Sequence, residues 1–377
     1  MKPSFYLPYC SALLALTASV RSSLAQPTLG IAAAGKQSVL YYATSPTNYI
    51  LQSATNLVSP NWVTATDAVT VAAVTVSNNS PAKFYRLFHT NPPAGMVLIP
   101  PGWFTIGNSI GDGDITDAIP TNVYVSAFFM DANLVTLSQW QSVYAYATGI
   151  GYSFANAGAG NATNHPVQTV DWFDCVKWCN ARSQQAGLTP VYYTDAALTQ
   201  VYTNGDSGTT VYANWLTSGY RLPTEAEWEK AARGGLTGRR FPWGDLIAGG
   251  KANYTGATNT YSYDLGPSGT NSLGLIGGYP YTTPVGFFQE NGYGLFDMAG
   301  NVFEWCWDWY GGAPFQPGSP YLGGNDPHGP GQTVNRRVER GGSWGFGGAG
   351  AARCAARNFF NPASAANTIG FRCVRGL

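Results

Sequence analysis

The 377-residue chain has 11% charged residues and zero formal net charge, so it carries no basic field to hold nucleic acid or an anionic lipid surface. Aromatics at 14% and 46 glycines exclude a disordered chain and point to a loop-rich fold held by ring packing. The length allows one large domain and a small one.

Residues 1–25 read as an export signal. Lys2 supplies the positive end, Leu7 to Val20 an apolar run too short to span a bilayer, and Ser23-Leu24-Ala25 a small-x-small cleavage site before Gln26. Arg21 is untypical of such a segment. No later stretch suits a transmembrane helix, so the expected location is secreted or periplasmic. Cys10 leaves with the signal, and Cys175, Cys179, Cys306, Cys354 and Cys373 remain. In an oxidising compartment this odd set implies disulfides plus one thiol that is free or paired elsewhere.

Residues 26–90 alternate β-branched or aromatic residues with polar ones, as in Val39-Leu40-Tyr41-Tyr42, and are punctuated by turns such as Ser59-Pro60-Asn61. Tyr49 to Ser53 and Phe84 to Leu87 read as two strands of a small all-β module. The segment resembles the β-sandwich modules that precede diverse domains in secreted bacterial proteins. Its simplest role is a spacer, since no residue pattern selects a carbohydrate or other ligand. Residues 91–95 form a Pro/Gly linker.

Beyond it, Met96 to Pro100 and Gly102 to Gly107 predict a hairpin, and Val123 to Met130 a further strand. A helix is expected over Leu134 to Thr148 with Thr136 as N-cap, and a second over Asp171 to Gln185, ended by Gly187. Cys175 and Cys179 share one face of the second helix. Two thiols alone are a weak metal signal, because zinc takes four ligands. A third helix, Thr224 to Arg233, opens with a capping box formed by Thr224 and Glu227. Glu225, Glu227 and Glu229 are read as capping and surface ion-pair residues, with Arg233 four positions after Glu229. After Gly234 the chain predicts only short strands and ordered loops.

Several stretches, in order, carry a family likeness. They are Met96-Val97-Leu98-Ile99-Pro100-Pro101-Gly102, His165-Pro166-Val167, Gly219-Tyr220-Arg221-Leu222-Pro223-Thr224-Glu225-Ala226-Glu227-Trp228-Glu229 and Phe241-Pro242-Trp243-Gly244. Then come Asn291-Gly292-Tyr293-Gly294-Leu295, Gly300-Asn301-Val302-Phe303-Glu304-Trp305, Arg340-Gly341-Gly342-Ser343-Trp344 and Gly370-Phe371-Arg372-Cys373. The set resembles the sulfatase-modifying factor (formylglycine-generating enzyme) family over roughly residues 94–377. The resemblance implies an α+β fold with little regular secondary structure, a variant of the C-type-lectin fold with bound calcium, over residues 96–377.

Active members of that family oxidise a sulfatase cysteine to formylglycine with copper and oxygen, using two cysteines just past the Gly-Gly-Ser motif. Soft thiolates select Cu(I). Here Ser343 matches the family's active-site serine, but Phe346 occupies the first cysteine position, and the second falls within Gly347 to Ala352, which holds no thiol. Cys354 belongs to the following Arg-Cys-Ala-Ala-Arg motif. Copper is therefore not expected. Other members of the superfamily carry a non-haem iron domain, which needs clustered histidines and a carboxylate. Only His89, His165 and His328 are present, scattered in sequence.

By the same resemblance, structural calcium would be held by the side chains of Asp297 and Glu304 and the carbonyls of Gly300 and Val302. A second site would use Asn253 and the carbonyls of Tyr254 and Tyr279, with Gly277 where a carboxylate is needed and Asp264 as a substitute if its loop folds back. Cys179 would pair with Cys373. The usual partner of Cys354 falls at Ala232, which leaves Cys175, Cys306 or no partner.

Three functions compete. The first is a binding or scaffold domain using Trp344, Phe346, Arg353, Arg357, Asn358, Phe359 and Phe360 as a ligand groove for an extracellular protein, peptide or glycan. The second is a copper oxidase with a rearranged metal site. The third is a sulfatase accessory that binds the signature peptide without modifying it. The oligomeric state is not legible in the sequence.

Overall fold

A computed structural model describes residues 92–276, 279–312, 315–331 and 335–377, together with the strands of the first 91 residues. The expected export signal lies outside the described residues. The chain divides into two compact units, one up to Pro92 and one from Pro93 on, apart from Pro100–Gly102.

The first unit holds β1 (Leu29–Ala34), β2 (Gln37–Tyr42), β3 (Tyr49–Ala54), β4 (Val63–Thr64), β5 (Val69–Thr70), β6 (Ala73–Ser77) and β7 (Phe84–His89). They form two sheets of order β1-β2-β6-β5 and β4-β3-β7. The segments read from period-2 alternation as strands, 49–53 and 84–87, are neighbours: Tyr49 faces His89 and Ala54 faces Phe84 in an antiparallel ladder.

The second unit opens with β8 (Met96–Ile99), β9 (Gly102–Ile106), β10 (Thr121–Val125) and β11 (Phe128–Asp131). β8 and β9 lie in different sheets, so they do not form the expected hairpin. The single strand expected over 123–130 is two, because Ser126 donates from its backbone N–H and its hydroxyl to Asp326, at 2.6 and 2.7 Å. α1 (Leu137–Gly149) starts at Thr136, which caps the Gln139 N–H while the Gln139 side chain accepts from the Thr136 N–H. α2 (Trp172–Gln185) starts at Asp171, whose carboxylate accepts from the Asp174 N–H. Trp140 of α1 stacks on Trp178 of α2 at 5.9 Å, and Phe371 meets both rings edge-on. This cluster, with Cys175, Cys179 and Cys373, is the largest core of the unit.

After the short pair β12 (Tyr192–Tyr193) and β13 (Tyr212–Ala213) comes α3 (Glu225–Ala232), capped as expected by Thr224 and Glu227. Its charged side chains overturn the surface reading. Glu225, Glu227 and Glu229 are all buried. Glu227 binds Arg221 through both oxygens, Glu229 binds Arg233 and Arg340, and Glu225 binds Arg340 and Arg357. A buried ion costs several kcal/mol unless paired, and each of these is matched with a guanidinium.

The remainder is mostly loops. It contains β14 (Leu275–Ile276), β15 (Tyr279–Pro280), β16 (Phe303–Trp309), β17 (Gly324–Asn325), β18 (Arg337–Arg340), β19 (Asn358–Phe360), β20 (Ile369–Gly370) and β21 (Val374–Arg375). Contrary to expectation, one helical turn occurs here, α4 (Gly348–Ala351), along with 3-10 turns at Ser272–Gly274 and Pro320–Leu322. The sheet that positions the candidate site has the order β19-β18-β16-β20.

Candidate functional site

β18 runs directly into the Gly341-Gly342-Ser343 turn, and this turn presents the segment that the resemblance sets against the family's copper site. Ser343 is buried and its hydroxyl serves the turn: Oγ accepts from the Phe346 N–H at 3.1 Å and donates to the Phe346 carbonyl at 3.2 Å. Trp344 is half-buried and pinned at several points. Its N–H donates to the Asn301 carbonyl, its carbonyl accepts from Thr255 Oγ1, and its indole N–H donates to the Asn367 carbonyl. Phe346 stands out, 63% exposed, with its ring 6.4 Å from that of Phe303.

The stretch that would carry the second cysteine is α4. It packs under Tyr261: a Cβ on Gly350 would lie 2.8 Å from the tyrosine oxygen. Small residues let this turn sit flat against Tyr261, and nothing in it can bind a soft metal. The described cysteines are all buried and unbridged. Burial pushes the Cys354 thiol up to about 12, and the thiols of Cys175, Cys179 and Cys306 well above their ordinary range. A metal-binding cysteine needs the opposite shift.

Two residues assigned to the ligand groove are interior instead. The Arg353 side chain is 1% exposed, paired with Asp112 and Asp114 and bonded to Asn108. The Arg357 guanidinium binds Glu225 at 2.7 and 3.0 Å amid the rings of Tyr310, Phe315 and Tyr321. Both fasten the 108–117 loop or α3 to the core. Trp344, Phe346, Phe359 and Phe360 remain at least partly exposed.

The candidate calcium turn is compact. Asp297, Gly300 and Asn301 all have positive φ, and a Cβ on Gly300 would lie 2.4 Å from the Asn253 carbonyl oxygen. Asp297 is buried, with no guanidinium or ammonium at ion-pair distance among the described residues; it accepts the Gly286 N–H at 2.9 Å. Burial pushes its carboxyl up to about 6. A cation held beside it would bring the carboxyl back down. The Thr283 hydroxyl beside Asn301 is also buried without a partner. Glu304 is different, since both its oxygens accept from Arg372, at 2.6 and 2.9 Å. Each carboxylate oxygen has a second lone pair, so this bidentate contact leaves Glu304 acceptor capacity for a metal. Asp297, Glu304 and the carbonyls of Gly300 and Val302 supply oxygen donors of the kind a hard cation takes.

Of the residues named for the second calcium site, Asn253, Tyr254 and Tyr279 are among those described. Asn253 faces the first turn, its carbonyl accepting from the Asn301 N–H and its amide donating to the Tyr281 carbonyl. The 257–269 loop does fold back, but Asp264 is used there. It accepts from the Tyr254 hydroxyl at 2.6 Å and from the N–H groups of Ala257 and Gly266. Tyr279 pairs with Ile276 in the β14–β15 ladder, and Gly277 lies outside the described residues. The Cys179 and Cys373 sulfurs lie 3.5 Å apart.

A further acidic cluster was not expected. Asp171, Asp174 and Asp206 each offer an oxygen within 4.8 Å of the others, a set that could hold a metal ion. Lys177 already sits among them, 3.2 Å from Asp174 and 2.8 Å from Asp206. Asp171 and Asp174 are visible in sequence at the start of α2, as its N-cap and a first-turn acid, but Asp206 arrives from a loop 32 residues after Asp174, which no spacing rule reveals.

Fold and site together define a mixed α+β protein with little regular structure, built like a formylglycine-generating enzyme around the Gly-Gly-Ser turn. The sulfatase-modifying factor enzyme 1-like domain matches residues 84–377. The chain is 34% identical to the formylglycine-generating enzyme of Streptomyces coelicolor over 296 residues, 74% of this chain and 88% of that one. It is 30% identical to the chaperone protein LppX of Paenibacillus barcinonensis over 235 residues, 59% of this chain and 71% of that one. Among solved structures, Treponema denticola variable protein 1 superimposes with a TM-score of 0.56 and 26% identity, covering 75% of this chain and 95% of that one. The chain belongs to the sulfatase-modifying factor family.

Proposed function

We propose that this protein is a secreted binding domain on a formylglycine-generating-enzyme scaffold, a calcium-stabilised variant of the C-type-lectin fold that does not make formylglycine. The observation that carries this reading is the exposed phenyl ring of Phe346 where the chemistry requires a thiolate. The rest of that segment, Gly347 to Ala352, is glycine and alanine. The contact surface is the ledge of Trp344, Phe346 and Tyr281, whose rings suit an extracellular peptide. Chaperone LppX and variable protein 1, both similar in sequence or fold, bear names unrelated to formylglycine formation. Calcium at Asp297, Gly300, Val302 and Glu304 would tie the turn before β16 to its surroundings and neutralise Asp297. Its role here is structural.

The test is mass spectrometry of a cysteine-containing sulfatase-motif peptide incubated with purified protein, Cu(I), oxygen and a thiol reductant, beside a known active enzyme. No conversion is expected. Conversion that survives repurification would overturn the proposal and make Cys354 the first residue to mutate.

A further inference from the structure

The chain holds two Asn-Gly pairs, Asn204-Gly205 and Asn291-Gly292, and the fold treats them oppositely. Such a pair carries its own nucleophile, because glycine has no side chain to keep its backbone nitrogen away from the preceding side-chain amide. Attack of that nitrogen on the asparagine Cγ closes a five-membered imide and expels ammonia. Water then opens the ring at either carbonyl and leaves aspartate or isoaspartate.

Asn291 is buried and held away from this chemistry. Its amide donates to the carbonyls of Ala231 and Ala232 at 2.8 and 3.2 Å, and its Oδ1 accepts from the N–H groups of Tyr293 and Leu295, which lie beyond Gly292. A Cβ on Gly292 would lie 2.3 Å from the Gly234 carbonyl oxygen, so the backbone there is packed tightly. Asn204 is exposed in the loop between β12 and β13, where water reaches it. The Gly205 N–H donates to Asn204 Oδ1 at 2.8 Å, and a carbonyl bond of about 1.2 Å then keeps that nitrogen within about 4 Å of Cγ. The Ser153 hydroxyl donates to the same Oδ1 at 2.5 Å, where negative charge develops as the nitrogen adds.

We propose that Asn204 is a self-modification site, converted without an enzyme to aspartate or isoaspartate by the Gly205 nitrogen, with the Ser153 hydroxyl stabilising the oxyanion. The site adjoins the acidic cage of Lys177. The Gly205 carbonyl accepts from Lys177 Nζ at 3.1 Å and from the Tyr202 hydroxyl at 2.5 Å, and Asp206 pairs with the same Nζ at 2.8 Å. Isoaspartate routes the main chain through Cβ and so displaces the Gly205 carbonyl from its donors. Either product adds a carboxylate beside Asp171, Asp174 and Asp206, which already surround a single ammonium. Conversion therefore loosens the 203–206 loop from α2, and the extent of conversion records the age of the protein.

The test is peptide mass spectrometry of the purified full chain held at pH 9, with near-ultraviolet circular dichroism showing that it stays folded. Asn204 should convert to the acid at least about tenfold faster than Asn291, with isoaspartate among the products. Ser153→Ala should slow the conversion about tenfold. The thermal midpoint of the native protein should fall as Asn204 converts, while that of Asn204→Gln, which would have to close a larger ring, stays level. An Asn204 that remains an amide, equal rates at the two pairs, an undiminished rate in folded Ser153→Ala, or a midpoint that ignores the conversion would each overturn the proposal. Should Ser153→Ala fail to fold, the comparison of the two pairs in the native protein decides.

Discussion

Glu339→Gln tests the electrostatics of β18 directly: Glu339 is buried, its Oε1 accepts from Asn358 at 2.5 Å, and its Oε2 has no partner among the described residues. In the native protein burial holds the carboxyl protonated up to about 8, against an ordinary value of 4.5 once unfolded. Between those values the native state binds a proton that the unfolded chain has released, so stability falls as pH rises. Glu339 thus contributes fully below pH 4.5 and progressively less up to about 8, where its contribution is lost. Each pH unit in this window is worth about 1.4 kcal/mol, so the whole window amounts to about 5 kcal/mol. Gln keeps the acceptor for Asn358 but cannot titrate. Its amide N–H has no acceptor in place of Oε2, an offset of about 1–3 kcal/mol that is independent of pH. Urea unfolding of both proteins, followed by tryptophan fluorescence from pH 5 to 9, should therefore show the wild type losing stability relative to the variant by several kcal/mol. Other buried acids, such as Asp171 and Asp297, are common to both proteins and cancel in the difference. Parallel curves would refute the claim that burial keeps Glu339 protonated.

Further outcomes follow from the calcium turn, its arginine and the facing thiols. Gly300→Ala places a Cβ 2.4 Å from the Asn253 carbonyl oxygen at a φ of +82° and should cost more than about 2 kcal/mol in urea unfolding. A chelator should lower the thermal midpoint, with calcium restoring it in the native protein but not in Asp297→Ala; an unchanged midpoint would refute the calcium assignment. Arg372→Met strands the buried Glu304 and should cost about 3–5 kcal/mol, a loss that a matched Glu304→Gln/Arg372→Met double variant partly recovers. If Cys179 and Cys373 are bridged after secretion, Cys179→Ser should destabilise the oxidised protein by about 2–5 kcal/mol; the same midpoint in variant and parent would mean the thiols stay apart.

Helix ends were legible because they are local. Thr136 and Thr224 read as N-caps and each satisfies an N–H three residues on; Asp171, read as the first residue of its helix, is the N-cap instead. The strands of the first unit were legible through their period-2 alternation. The candidate site was legible in part: the motif order locates the Gly-Gly-Ser turn, and the sequence shows that Trp344 to Arg353 holds no cysteine. The groove residues Arg353 and Arg357 were misplaced because an arginine beside aromatics reads equally as a contact residue or as one half of a buried pair.

Their partners decide that question, and those partners are distant. Arg353 meets Asp114 across 239 residues and Arg357 meets Glu225 across 132. The same holds for Glu229, which faces Arg340 across 111 residues and is interior although its helix reads as half-exposed. The sequence by itself determined the family, two of the caps and the lack of a cysteine between Ser343 and Cys354, because each depends on residue identity or short spacing. Only the tertiary structure decided where the charges lie, because the cost of burying an ion depends on a neighbour that the chain supplies from elsewhere.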